Sequence, residues 1–514
     1  MNLKAIATAL VVLLSLFARC NPFGGPPRQS VYLSDEVMVQ GRTTDSSDNL
    51  YIYGNFGGTF DFKPDTASET KSSILDNDRV LAKYDKNNDL QWIYTWEGNN
   101  NRSQINDTSD YVIFMISDPS GGIIYTGNFI GRRDLDPTDG VEVRTSALNK
   151  PPKDAGNVNY SNYPDFSYFN PFLTKIGSDG KFKWTNAWGN AQHIDVKKIL
   201  LQSTGEILVY GSYHGKVDFD TGDGELISEA YPPSERENGE QYPQNYEDTY
   251  ILRFAPDGKF KNVMTWGDDK GTFMGAQLIV TETDDIFIVG TTSEILDVDP
   301  GPGEVLINPA TPDAGASAAS DEPGGGYSGM RGPEVLFVVK FAPDGKFEWV
   351  STWAPPYSAH AWGLITDSNG NVYVGGTIQH PPTKRAKTSR PPAIMDCQMA
   401  FILKLDSNGK YQWDKMWGGG RKGEGAYVYG LEIDPNGDLL VNGSYNTTVD
   451  FDPGEGKDVI EVTSQVRRNQ LLFTSKFDTN GNYLGVEIKE SDYNISELRI
   501  SGKMTKEFLD ELRK

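Results

Sequence analysis

The chain has 514 residues, with 48 Lys and Arg against 71 Asp and Glu, a formal net charge of −23. Acidic residues spread along the whole length exclude nucleic acid and anionic membrane as principal partners. Apolar content is only 37%, while 54 Gly, 25 Tyr, 24 Phe and 10 Trp describe many short strands joined by turns, an all-β composition rather than a helical one.

In chain order, Lys4 precedes an apolar run from Ala5 to Ala18 that is too short for a membrane span and suits a signal-peptide core. Residues 1–19 therefore read as an export signal, which places the chain in the cell envelope or outside the cell. Phe17-Ala18-Arg19-Cys20 is similar to the lipobox of bacterial lipoproteins, although Arg19 stands where a small residue is wanted. Lipidation of Cys20 and simple cleavage both stay open, and with Cys397 the sole other cysteine there is no disulfide framework. Residues 20–36, with their Pro and Gly, read as a tether.

From residue 37 to 487 the sequence repeats. Six apolar strands each carry a glycine: Gly54, Gly127, Gly211, Gly290, Gly376 and Gly443. Before each lies an apolar segment and a turn, as in GLEIDPNGDLLVNGS (Gly430 to Ser444), which is a hairpin signature. After an insertion of variable length comes a second hairpin, as in FILKLDSNGKYQWDKMWGG (Phe401 to Gly419). Two hairpins give four antiparallel strands, a to d, which is one blade of a β-propeller. The sequence predicts six blades, with a seventh if the two chain ends build another sheet together, or with Ser30 to Leu33 as a strand that latches the last one.

Nine of the ten tryptophans fall in strand d: Trp92, Trp96, Trp184, Trp188, Trp266, Trp349, Trp353, Trp413 and Trp417. A spacing of four keeps both members of a pair on one face, where large rings fill the gap between neighbouring sheets. Acidic strings follow strand b in four units: DLDPTDG (Asp134 to Gly140), DFDTGDG (Asp218 to Gly224), DVDPGPG (Asp297 to Gly303) and DFDPGEG (Asp450 to Gly456). With their turns and closing tryptophans, these units resemble the SBBP-type β-propeller repeats of bacterial envelope and secreted proteins. The resemblance implies the fold and no single activity. Unit five departs by replacing the acidic string with IQHPPTKRAKTSRPP, and unit six lacks the tryptophans.

Two carboxylates two residues apart in an extended segment point the same way, and the following turn adds carbonyls, the hard-oxygen surroundings calcium prefers. Asp134, Asp136, Asp218, Asp220, Asp297, Asp299, Asp450 and Asp452 are thus candidate Ca2+ ligands. The competing reading is structural, with the Asp side chains capping turns and pairing with a basic residue that recurs in strand c at Lys83, Lys175, Arg253, Lys340, Lys404 and Lys476. At the start of strand a the aligned residues are Met38, Tyr111, Asp195, Met274, His360 and Tyr427. Of these, Asp195 and His360, with His193, form the trio on which a hydrolase or lactonase reading with a channel calcium would rest.

The long insertions, Asn149 to Pro171, Glu229 to Asp248, Ala310 to Pro333 and Gln379 to Met399, all separate strands b and c, so any ligand is expected there. Tyr160, Tyr163 and Tyr168 on the first would serve a carbohydrate-binding propeller. Lys384, Arg385, Lys387 and Arg390 on the last make a basic run suited to an acidic partner or to a solvated loop. Residues 488–514 form a tail in which Thr505 caps a short helix from Lys506 to Arg513, docked by Phe508, Leu509 and Leu512. No P-loop, Rossmann fingerprint, CxxC or HExxH occurs. The reading is an exported, monomeric binding or scaffold module whose partner is an envelope protein or a glycan, with the calcium-dependent hydrolase and the carbohydrate-binding propeller as its alternatives.

Overall fold

The structure is a computed structural model. It describes residues 36–513 apart from 65–67, 75–77, 97–109, 147–169, 190–192, 223, 231–247, 268–273, 316–333, 356–357, 381–396, 419–424, 463–470, 491–497 and 502. Among these residues, six four-stranded antiparallel meanders follow one another along the chain, each paired in the order a-b-c-d. This all-β succession is the blade architecture of a β-propeller. The sixth sheet shows the pattern: Ala426–Ile433 (a), Leu439–Tyr445 (b), Leu471–Phe477 (c) and Tyr483–Glu490 (d).

The turns follow from their aspartates. In the a-to-b turn, Asp434 Oδ1 accepts the backbone N–H of Asn436 at 2.8 Å and of Asp438 at 3.0 Å. In the c-to-d turn, Asp478 does the same for Asn480 and Asn482, both at 2.8 Å. A short carboxylate closing its own turn is why Asp-x-Asn-Gly punctuates the hairpins of the fifth and sixth sheets.

The strand-b glycines have a backbone cause. In every sheet strand a carries a bulge opposite strand b, between Val39 and Gly41 in the first and between Val428 and Gly430 in the sixth. The bulge drives a strand-a carbonyl toward strand b, so a Cβ on Gly54, Gly211, Gly376 or Gly443 would fall on the oxygen of Met38, Asp195, His360 or Tyr427.

The sheets form two compact units, residues 18–265 with 494–514 and residues 266–493. Within each, strand-d tryptophans join one sheet to the next. The positive-φ glycine of a c-to-d turn lies under the ring of the preceding sheet, its built Cβ meeting Trp92 at 2.9 Å (Gly180), Trp184 at 2.5 Å (Gly258), Trp349 at 2.6 Å (Gly409) and Trp413 at 2.9 Å (Gly481). The second ring of the pair packs on the next strand c, as Trp417 does on Phe477 with centroids 5.3 Å apart. The tryptophans are packing residues, as the spacing predicts.

The tail belongs to the first unit. Leu498–Ser501 adds to the strand-a edge of the first sheet, Glu36–Thr44, in antiparallel register. Helix α1 (Lys506–Arg513) follows, with Thr505 Oγ1 accepting the Phe508 N–H at 3.1 Å. Met504, Leu509 and Leu512 are buried with Val37, Ile52, Val80 and Ala82, the sheet-one face opposite to that carrying Tyr51, Tyr53 and Leu81. Ser30 to Leu33, expected as a latch, lies outside the described residues. The sixth sheet takes all four strands from its own repeat.

Candidate functional site

The acidic strings do not form open loops. Each is the tip of a two-stranded hairpin, such as Val449–Asp450 with Val459–Ile460, and a fifth hairpin, Thr59–Asp61 with Thr70–Ser72, occurs in the first sheet. The alternation of Val-Asp-Phe-Asp turns the apolar side chains inward. Phe451 is fully buried, 5.2 Å from Tyr445 and 5.0 Å from Phe473 by ring centroid, and burial of such a ring contributes about 1.5–3 kcal/mol. The hairpins lie along the outer strand d: Tyr483 Oη donates to Asp458 Oδ2 at 2.7 Å, and Arg144 Nη2 to the Thr185 carbonyl at 3.5 Å.

The first aspartate of each string clasps its hairpin. Asp450 Oδ1 accepts the N–H of Asp452 at 3.3 Å and of Asp458 at 2.9 Å; Asp297 Oδ1 those of Asp299 at 3.1 Å and Val305 at 2.9 Å. Asp218 holds Asp220 and Leu226 (3.0 and 2.9 Å), and Asp134 holds Asp136 and Glu142 (3.1 and 2.7 Å). Asp61 holds Lys63 and Glu69 at 3.1 and 3.0 Å. The second aspartate closes the tip: Asp220, Asp299 and Asp452 each accept a glycine N–H at 2.7–2.8 Å, and Asp136 accepts the N–H of Thr138 at 2.8 Å. The glycines two residues further on, Gly224, Gly303 and Gly456, leave room for the other carboxylate oxygen.

These aspartates thus have a structural occupation: one oxygen of each accepts one or two backbone N–H groups, a role a carboxylate performs without metal. Among the described residues no group of three or more His, Cys, Asp or Glu is gathered to hold an ion. A calcium site would have to use the remaining oxygens with ligands from elsewhere. Burial works against ionisation of Asp61, but the Lys503 ammonium at 2.9 Å and two backbone N–H groups outweigh it and hold its carboxyl below the usual range. The sequence signal for this fifth hairpin was DFKPD, with Lys63 in place of the second aspartate.

The expected charge ladder between these strings and strand c does not form. The strand-c cations turn to the opposite end of the blade, toward a-to-b turn acids or the c-to-d turn of the following sheet. Lys476 Nζ is 2.8 Å from Asp434 and 2.9 Å from Asp438, Lys340 3.0 Å from Asp285, and Lys175 2.8 Å from Asp118. Arg253 pairs with Glu206 at 2.6 Å. Lys83 donates to the Ser178 carbonyl at 3.0 Å and Lys404 to that of Thr479 at 2.7 Å. This explains why Lys404 persists in unit five without an acidic string.

On strand a, Met38, Tyr111, Asp195, Met274, His360 and Tyr427 are equivalent by register, each opposite the residue after the strand-b glycine: Asn55, Asn128, Ser212, Thr291, Thr377 and Ser444. Asp195 and His360 are half-buried and belong to different units. The His193 side chain, Tyr160, Tyr163, Tyr168, Cys20 and the basic run at Lys384, Arg385, Lys387 and Arg390 lie outside the described residues. The sequence reading passed over the tenth tryptophan, Trp362. It is the bulge residue of strand a in the fifth sheet, 38% exposed, and its ring lies 6.3 Å from that of His360.

Compared with known proteins, no family model matches the chain. It is 24% identical over 196 residues to an uncharacterized WD repeat-containing protein of Acanthamoeba polyphaga mimivirus; the match takes in 35% of the chain and 13% of that protein's length. Similar solved structures include the β-propeller domain of the trilobed protease from Pyrococcus furiosus (9% identity, 89% of this chain and 99% of that one, TM-score 0.31). Another is the lignostilbene dioxygenase of Pseudomonas brassicacearum (13% identity, 95% and 97%, TM-score 0.27). The fold assignment rests on the sheet topology above and not on these likenesses.

Proposed function

We propose that the chain is an exported binding or scaffold module, a propeller of SBBP-type repeats that presents long b-to-c segments from a stiff frame. The observation that carries this reading is the b-to-c connection itself. It opens with a hairpin clasped by two aspartates in the second, third and fourth sheets, and residues 147–169, 231–247 and 316–333 follow. Tryptophan, glycine and lysine contacts between successive sheets stiffen the frame that carries these segments. Recognition riding on segments anchored to a rigid scaffold is the usual division of labour in such folds. Export is supported by Lys4 and the apolar run to Ala18, and Cys20 offers an attachment point to the membrane by lipid.

The test is capture. Mature protein immobilised through its C-terminus is expected to retain an envelope component that free protein competes away. A bait that retains nothing beyond an unrelated acidic control overturns the reading.

A further inference from the structure

Strand a of the fifth and sixth sheets carries His360, Trp362, Tyr427 and Tyr429, of which Trp362 is exposed and the others are half-buried. Strand a of the fifth sheet (Ser358–Thr366) and strand a of the sixth (Ala426–Ile433) abut, because Gly363 and Gly375 leave the space that Leu431 fills: a Cβ on either glycine would meet the Leu431 side chain at 2.8 Å. At one level of these two strands stand His360 and Tyr427, equivalent by register; at the next stand the bulge residues Trp362 and Tyr429. The equivalent bulge positions in the first three sheets hold Gln40, Ile113 and Lys197.

A bulge turns its extra residue away from the ladder, and here that residue is a tryptophan. The other nine tryptophans are buried or half-buried, whereas Trp362 is 38% exposed with the His360 ring tilted by 35° beside it. The Tyr429 hydroxyl is fixed by Ser444 Oγ. Burial pushes the Tyr427 phenol above its ordinary pKa, so it stays a neutral hydroxyl.

We propose that His360, Trp362, Tyr427 and Tyr429 form a binding site for a neutral sugar ring of an oligosaccharide. The inference rests on the binding-module reading and gives it a ligand class and a place. The set offers an exposed indole for the apolar face of a sugar, with the His360 imidazole beside it and the Tyr427 hydroxyl on the abutting strand for sugar hydroxyls. It contains no carboxylate to favour a cation and no ammonium or guanidinium to favour an anion. An aromatic wall with a few convergent polar groups is how small-molecule sites combine affinity with orientation.

The mature full-length protein is screened against an array of neutral and acidic oligosaccharides, and the best neutral hit is titrated by intrinsic tryptophan fluorescence. Trp362→Ala is expected to weaken binding roughly tenfold or more with an unchanged Tm, Trp362→Phe to weaken it less, and His360→Ala to lower affinity through a second group. Binding of no neutral oligosaccharide, or equal binding by folded Trp362→Ala and His360→Ala proteins, overturns the site. Should Trp362→Ala not fold, His360→Ala and Trp362→Phe decide. An envelope component that is still captured when no neutral oligosaccharide binds would remove this site and leave the binding-module reading standing.

Discussion

At the scale of single residues, Gly41 and Gly443 separate two roles for the same amino acid. Gly41 lies in strand a next to its bulge, and a Cβ built there meets nothing within 4 Å. Gly443 lies in strand b, where the same Cβ falls on the Tyr427 carbonyl and comes within 2.5 Å of the Phe473 ring. Gly443→Ala must therefore force strands a and b apart, a form of overpacking that costs about 1–3 kcal/mol or more. Gly41→Ala removes unfolded-chain freedom without a clash and is expected to be neutral or to stabilise by about 0.4–1 kcal/mol. Urea unfolding of both variants checks this, and equal effects would contradict the account. The six glycines were plain in the sequence as punctuation. Their cause was not, because the opposing bulge is a backbone event with no residue type of its own: Gln40, Ile113, Lys197, Trp362 and Tyr429 share no chemistry.

At the scale of the element, the hairpin DFDPGEG was legible in part. Its alternation of Asp and Phe gives an extended segment with one wet and one dry side, and Phe451 obeys it. What the sequence could not supply was the bond from Asp450 to the N–H of Asp458, eight residues on, which exists only once the hairpin closes. The strand-c lysines teach the same lesson, for their period is visible while their partners, in turns of their own or the following sheet, are not. The clasp and the calcium reading predict opposite responses to one substitution. Asp450→Asn keeps a carbonyl oxygen for both N–H groups but removes the charge a cation needs, whereas Asp450→Ala loses the acceptor and leaves two donors to find water. The clasp predicts near-wild-type stability for Asn, a loss of about 1–3 kcal/mol for Ala, and no change in Tm on adding calcium or chelator. A Tm that rises with calcium in the wild type and not in Asp450→Asn would instead establish a metal site.

At the scale of the molecule, the two ends of the repeat array differ in ways the chain itself foreshadows. The strand-d rings that pack on a following sheet have no counterpart in the sixth, where Gly485 and Lys489 occupy the places of Trp413 and Trp417. At the other end the apolar face of the first sheet, Val37, Ile52, Val80 and Ala82, is covered by the tail. The helix of that tail was readable from Thr505 and the spacing of Phe508, Leu509 and Leu512, while the strand Leu498–Ser501 was too short to announce itself. Asn88, in the c-to-d turn of sheet one, donates to Asp510 at 2.7 Å and accepts from Arg513 at 2.9 Å, which fixes the helix over that face. Leu509→Ala removes a fully buried side chain at a cost of about 2–5 kcal/mol. Deletion from residue 494 onward uncovers the whole face. Hydrogen exchange on the truncated protein is then expected to show amides of Leu50–Phe56 and Asp78–Tyr84 losing protection while those of the second unit keep theirs. Unchanged exchange in sheet one would mean that the tail rests on the first sheet without supporting it.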